Sequence, residues 1–225
     1  MNRVRWDGLP LEGSTVELPP NLEECIFDHL PKPISITPVI EDLAERYLAG
    51  QLVPQDYIAM QAAAFIRPSA PEVHQNRRDT FHARAAEAEA QGFVIPNVFR
   101  QLVETDAWVD RLHHNCIWME MPEELWRLPS DPDSLVFLAF TEGQGCCNWH
   151  LLLAPDGTHS MVSCEHAFGM PSAWPGHVPD YSQWTVEQCA DSIEEWLYHY
   201  FQESAEHDAG YVKRLRPYHT DGWNG

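Results

Sequence analysis

The sequence predicts an α+β domain in which helices cover a mainly antiparallel sheet. Helical patterns come first along the chain, strand-like segments follow, and an amphipathic helical pattern comes last. An Asp-Gly pair separates two apolar runs in the strand-like part, which is typical of a β-hairpin. With 225 residues, 44% of them hydrophobic, the chain is long enough to bury one sizeable core.

Residues 1–75 are predicted as an N-terminal arm and helical extension. Residues 1–35 are rich in proline and read as an extended arm. Thr37 as N-cap, Pro38 at the first helical position and Gly50 as a stop predict a helix over 37–50. A second helix is predicted over 54–66, before Pro68, and the segment "SAPEVHQNRRD" that follows is predicted as a linker.

The α+β domain itself is predicted over residues 76–212, with 213–225 as a tail. An Ala- and Glu-rich helix ends at Gly92, and Pro96 opens another. Four strands are predicted in "NCIWMEM", "SLVFLAF", "CNWHLLL" and "THSMVSC". The last helix is predicted over "TVEQCADSIEEWLYHYFQES", with Thr185 and Gln188 as its capping box. Its apolar face consists of Val186, Cys189, Ala190, Ile193, Trp196, Leu197, Tyr200 and Phe201.

Charge is the most unusual bulk property of the chain. The formal net charge is −20, and residues 128–212 contain no Lys or Arg but thirteen Asp and Glu. Such a field repels nucleic acid and anionic lipid and accelerates encounter with a basic protein, although solubility alone is an alternative reason for it. No apolar run is long enough for a membrane span, and the start has no apolar segment typical of a signal peptide. We therefore expect a cytoplasmic protein whose six scattered cysteines are thiols.

Cysteines and histidines gather around the predicted hairpin, which raises the question of a metal site. If Leu153 pairs with Thr158 across the turn, Cys147 lies opposite Cys164 on the core side of the sheet. The same register pairs Trp149 with Val162, His150 with Met161 and Leu152 with His159. The candidate ligands are then divided between the two faces, so we expect no metal, no cofactor and buried thiols that act as small hydrophobic groups. A register change of one residue would separate the two cysteines.

Catalytic chemistry is not predicted, because no pattern in the sequence brings together a nucleophile, a base and an orienting group. The chain contains no nucleophile elbow, Gly-rich phosphate loop or zinc-protease motif. We therefore name no catalytic residue.

The hairpin segment "QGCCNWHLLLAPDGTHSMVS" resembles the core of the SUKH superfamily, the fold shared by yeast cell-wall assembly regulators and many bacterial immunity proteins. The resemblance covers residues 80–205 and includes "FLAF" at 137–140 and the acidic last helix. His150 and Leu152 stand where similar bacterial sequences commonly have aromatic residues. The matching positions, which the resemblance implies to be structural, are Gly92, Pro96, Phe99, Gln144, Gly145, Cys146, Trp149, Leu151, Leu153, Gly157, His159, Val162 and Ser163.

The resemblance implies a non-enzymatic binding protein, an immunity protein that neutralises a cognate nuclease or deaminase toxin. The acid-only stretch supports a basic protein partner independently, because enzymes that bind nucleic acid carry basic clefts. Aromatic residues and acids occur together in a candidate partner surface, which comprises Trp174, Asp180, Tyr181, Trp184, Glu194 and Glu195. Packing of the loop onto the sheet is an equal alternative for Trp174 and Trp184.

Two other functions stay open at this stage. One is a regulatory scaffold that recruits partners through residues 1–75, and the other is a zinc-binding or cysteine-dependent enzyme that uses the hairpin.

Overall fold

The computed structural model describes residues 69–113, 117–143, 147–164 and 185–200, together with the isolated positions 18, 20, 45, 46, 48–51, 53 and 56. The elements are helices α1 (Pro71–Ala90), α2 (Asn97–Glu104) and α3 (Asp106–His113), strands β1 (Ile117–Met119), β2 (Trp126–Leu128), β3 (Asp131–Glu142), β4 (Asn148–Leu153), β5 (His159–Cys164) and β6 (Glu187–Ala190), and helix α4 at residues 193–200. The fold is therefore α+β, as the sequence predicts. Within the described residues, no helix combines the length and the apolar character needed to cross a membrane.

The six strands among the described residues form one antiparallel sheet in the order β1-β3-β4-β5-β6, and β2 also pairs with β3. Strand β3 is 12 residues long, so β1 and β2 share one of its edges. β1 pairs with residues 140–142 and β2 with residues 131–136. The end of the sheet with the β2–β3 and β4–β5 turns is called the turn end below, and the opposite end, with the β3–β4 connection, is called the loop end.

One face of the sheet carries the main hydrophobic core and is called the helix-covered face. Phe137, Leu151 and Met161 from three neighbouring strands are buried there with residues from helices α1, α2, α3 and α4. Phe99 of α2 makes edge-on contacts with Phe137 at 5.7 Å and with Phe81 of α1 at 5.6 Å between ring centroids. Apolar burial of this extent is the main source of stability in a domain of this size.

A β-bulge at Ala139 explains why the "FLAF" segment is buried throughout. β3 pairs Leu138 with His150 and then Phe140 with Trp149, which leaves Ala139 as an extra residue. The extra residue resets the alternation of side chains, so Phe137 and Phe140 both face the helices although they are three positions apart. Phe140 consequently stacks on Trp196 of α4, with ring centroids 4.4 Å apart.

Helix α1 corrects the prediction of a linker, because the chain is helical from Pro71 onwards. Its end is as predicted: Gly92 has φ of +89°, and the amides of Gly92 and Phe93 donate to the carbonyls of Glu89 and Ala88. That pattern is a Schellman motif, and it needs a residue that tolerates positive φ. Gly50 ends the predicted first helix in a similar way, with φ of +65°, while Thr37 and Pro38 lie outside the described residues.

Polar contacts fix the start of α1 to α3, in the segment predicted as a linker. Arg77 is buried and donates to His74 Nδ1 at 2.5 Å, to the Val103 carbonyl at 3.1 Å and to Asp106 at 3.0 Å. His74 Nε2 lies 3.2 Å from Asp110, which also accepts from the Ser69 amide. Burial is the largest effect on the pKa of Arg77 and lowers it, although the carboxylate of Asp106 opposes that shift.

The predicted last helix begins too early, because residues 187–190 form β6 and pair with β5. Helix α4 starts after Ser192, whose hydroxyl accepts from the Glu195 amide at 3.1 Å. Glu195 in turn accepts from the Asp191 amide at 2.6 Å, so these two side chains cap the helix instead of Thr185 and Gln188. Strand β2 and helix α3 were not predicted from the sequence.

The β4–β5 hairpin is confirmed, but its predicted register is wrong by one residue. Leu153 pairs with His159, so the strands begin one position later than predicted. The reason is the turn: the Gly157 amide donates to the Ala154 carbonyl, and Gly157 adopts φ of +86°. A type I turn followed by a left-handed residue adds one residue to the loop. The corrected pairs are Asn148 with Cys164, Trp149 with Ser163, His150 with Val162, Leu151 with Met161 and Leu152 with Ser160.

Candidate functional site

The second face of the sheet, opposite the helix-covered face, buries polar side chains among apolar ones. His150 has no exposed surface, and neither do its neighbours Leu138 and Val162 on the adjacent strands. Burial alone lowers the pKa of His150 to about 3, because the charged imidazolium loses its hydration. His150 is therefore a neutral imidazole at the centre of this face.

Next to His150, at the loop end, one ladder of side chains crosses four strands. Trp118 of β1 pairs with Thr141, Thr141 pairs with Asn148, and Asn148 pairs with Cys164. Directly opposed residues of antiparallel strands point to the same side, with Cβ atoms about 5 Å apart. We call these four residues the cross-strand row. Its exposure decreases along the row, from a Trp118 that is 45% exposed to an Asn148 that is 3% exposed.

The row places one buried acceptor, Asn148 Oδ1, near the carboxylate of Glu120. Asn148 Nδ2 donates to the Cys164 carbonyl over 3.5 Å, a long contact. Within the described part of the chain, Asn148 Oδ1 is buried and accepts no hydrogen bond. The Thr141 hydroxyl donates to Glu120 Oε2 at 3.4 Å, which keeps a carboxylate beside the row. A buried acceptor without a donor is costly, so natural proteins keep few of them.

Acidic residues collect at the turn end of the sheet. Asp133, Asp156 and Asp191 are exposed there, and Asp131 is half-buried. The backbone amide and hydroxyl of Thr158 both donate to Asp156 Oδ1, at 2.9 and 2.6 Å, and these hydrogen bonds lower the pKa of Asp156. Arg127 immediately precedes residues 128–212, which contain no Lys or Arg. Its guanidinium donates to the carbonyls of Pro132 and Asp133.

Glu194 and Glu195, both predicted to contact a partner, make internal contacts in helix α4. Burial raises the pKa of Glu194, but the hydrogen bond with His159 Nε2 at 3.1 Å and other donors outweigh burial and leave the pKa lowered. Glu195 is 9% exposed, caps α4 and lies 3.8 Å from His199 Nε2. The other members of the predicted partner surface, Trp174, Asp180, Tyr181 and Trp184, lie outside the described residues.

Several residues implied to be structural occupy structural positions. Phe99 and Trp149 are in the core, Pro96 is the N-cap of α2, and Gly92 and Gly157 have positive φ. Gln144, Gly145 and Cys146 lie outside the described residues.

The thiols and imidazoles near the hairpin are divided between the faces, but not as predicted. Cys164 lies on the second face with His150, whereas His159 lies on the helix-covered face opposite Leu153. Burial, with a smaller contribution from Cys147, raises the pKa of Cys189 far above its usual value. Among the described residues, no three His, Cys, Asp or Glu side chains are arranged to hold a metal ion.

Comparison of the chain with protein-family models, curated proteins and solved structures gives no match. Function therefore has to be argued from the geometry of this chain.

Sequence reasoning missed the cross-strand row, since Trp118, Thr141 and Asn148 come from three segments. Each segment was recognised as a strand or lay next to one, but the pairing that brings the three side chains together is a tertiary property. The available signal was a tryptophan in a short strand-like run beside an acid, "IWME".

Proposed function

We propose that the chain is a non-enzymatic, cytoplasmic protein-binding domain of the SUKH type, an immunity protein that neutralises a basic toxin. The observation that carries the proposal is the distribution of charge: no Lys or Arg occurs in residues 128–212. A toxin that acts on nucleic acid exposes basic groups, and a protein of opposite field associates rapidly with it and covers them.

The described residues support this assignment through a contrast between the helices and the turn end. In the helical part, two acids pair with arginines of the same region: Glu87 with Arg84 and Glu89 with Arg100. At the turn end, neutral groups donate to the carboxylates, as Thr158 does to Asp156 and Gln188 to Asp191. Neutral donors orient a carboxylate without cancelling its charge, so Asp156 contributes its charge to the field at the turn end.

The experiment starts from capture of partners by the tagged full chain from an extract of its native cells, at low and high salt. The captured partner is then purified, and its dissociation constant is measured at several salt concentrations. We expect a basic protein whose affinity falls as salt rises, because surface charges attract less strongly in a shorter Debye length.

Two variants with the same change in charge make the test specific. The turn-end variant carries Asp131→Asn, Asp133→Asn, Asp156→Asn and Asp191→Asn, and the control variant carries Glu72→Gln, Asp79→Asn, Glu123→Gln and Glu124→Gln. We expect about tenfold or greater loss of affinity at low salt in the first and about twofold or less in the second. Equal losses, or affinity that does not respond to salt, would overturn the proposal.

A further inference from the structure

The loop end of the second face offers acceptors to a ligand, away from the acids of the turn end. The cross-strand row begins at a half-exposed indole, Trp118, and its third member is a buried amide, Asn148. Two inter-strand spacings separate these residues, roughly 10 Å in all. Thr141 lies between them, and its hydroxyl holds the Glu120 carboxylate beside the row.

Asn148 is the observation that points to a ligand. Asn148 is only 3% exposed, and its side-chain oxygen Oδ1 accepts no hydrogen bond within the described residues. Apolar residues occupy other positions of the same face, as Leu138 does opposite His150 and Leu152 does farther along β4. An amide oxygen that lacks a donor among the described residues suits a donor that comes from outside.

We propose that the cross-strand row, with Glu120, binds the guanidinium of an arginine side chain presented by a protein partner. The inference rests on the proposed function and names the site at which the chain would recognise its protein partner. A guanidinium is planar, permanently charged and rich in N–H donors, so one group stacks on the Trp118 indole, pairs with the Glu120 carboxylate and donates to Asn148 Oδ1.

Lysine fits this row less well than arginine. An ammonium is a compact, strongly hydrated charge with no planar face to lie on the indole. An ammonium pairs with Glu120 or with Asn148, but it has no planar set of donors that binds both. The row therefore favours arginine over lysine.

The test uses the full chain and a blocked tripeptide, acetyl-Gly-Arg-Gly-amide, with matched lysine and citrulline peptides. Citrulline keeps the shape of arginine and removes its charge. The indole N–H signal of Trp118, assigned through its loss in Trp118→Phe, is followed by NMR during titration. We expect the arginine peptide to shift this signal at millimolar concentration, and the lysine and citrulline peptides to shift it far less.

Variants separate the row from a general effect of charge. Glu120→Gln is expected to weaken arginine-peptide binding by about threefold to fivefold, as for a partly exposed ion pair, and Asn148→Leu to weaken it as well. Glu124→Gln, an exposed acid outside the row, is the matched control and should leave binding unchanged. No shift of the Trp118 signal, an equal shift with citrulline or lysine, or an equal loss in Glu124→Gln would overturn the inference. If the turn-end variant loses salt-sensitive partner binding while Glu120→Gln and Asn148→Leu keep it, the proposed function stands but the arginine site does not.

Discussion

On the helix-covered face of the sheet, Trp196 lies in an aromatic stack between Phe140 and Tyr200, whereas the second face buries an imidazole and a carboxamide. Tyr200 completes the stack by donating from its hydroxyl to the Leu112 carbonyl at 3.0 Å, so its polar atom is satisfied. On the second face, by contrast, Asn148 Oδ1 accepts no hydrogen bond from any described residue. Both faces are buried, and they differ in how far their polar atoms are hydrogen-bonded within the described residues.

The difference suggests that the two faces serve different purposes. Aromatic stacking and edge contacts add to the energy of burial, and they fix helices α1, α2 and α4 on the sheet. Buried polar groups reduce stability unless they are fully satisfied, so a chain retains them for another reason. We infer that recognition is this reason.

The largest expected effect comes from breaking the aromatic stack. Trp196→Ala removes a fully buried indole and should lower the free energy of unfolding by about 3–5 kcal/mol, measured by urea unfolding at neutral pH. Trp118→Ala is the matched control on the second face, and with 45% of its surface exposed it should cost less, about 2 kcal/mol. Comparable losses in the two variants would remove the energetic distinction between the faces.

His150 predicts how the second face responds to acid. Its pKa is about 3 in the folded chain and 6.5 in the reference state. Between these values only the unfolded chain binds the proton, so stability falls as the pH is lowered below 6.5. At about pH 4.5 the loss from this one group is about 3 kcal/mol. This loss of stability should be absent from a His150→Leu variant. Urea unfolding of the variant and the parent, at about pH 4.5 and at a pH above 6.5, measures the difference.

An independent measurement checks the same prediction without unfolding the chain. The imidazole proton signals of His150, assigned through the His150→Leu variant, should not titrate by NMR between about pH 7.5 and 4.5. A titration midpoint near that of an ordinary histidine would show that the second face admits charge, and the difference between the faces would disappear.

The sequence predicts the existence of these faces better than it predicts their alignment. Asp-Gly marks the hairpin, and alternation marks β4, because both signals are local. The register depends on Gly157 adopting φ of +86°, which adds a residue to the turn, and the apolar pattern does not contain that information. One residue of register decides whether Cys164 lies opposite Asn148 or opposite Cys147.

The boundary between β6 and α4 teaches a similar lesson. Cys189 and Ala190 fit the helical spacing of the last helix, but four residues are too few to distinguish a helix from a strand. The edge of β5 decides it, since its backbone pairs with residues 187–190. The predicted acids Glu194 and Glu195 consequently fall in the first turn of α4, where His159 and the helix cap engage them.

The smallest expected effect is the most informative about the second face. Asn148→Leu replaces an amide that makes one long hydrogen bond with an apolar group of similar size. We expect the free energy of unfolding to change by less than about 1 kcal/mol. The reverse substitution on the helix-covered face, Leu151→Asn, is the matched control and should cost about 2–4 kcal/mol, because it buries an amide in the aromatic core.

The pair of variants separates a structural role of Asn148 from a role in recognition. If Asn148 supports the fold, Asn148→Leu lowers stability as strongly as Leu151→Asn does, and urea unfolding detects the loss directly. If Asn148 serves recognition, the variant keeps its stability and loses the response of the Trp118 indole to the arginine peptide. Only the second outcome gives a reason for a buried acceptor at this position, since its cost would be offset when a partner supplies the donor.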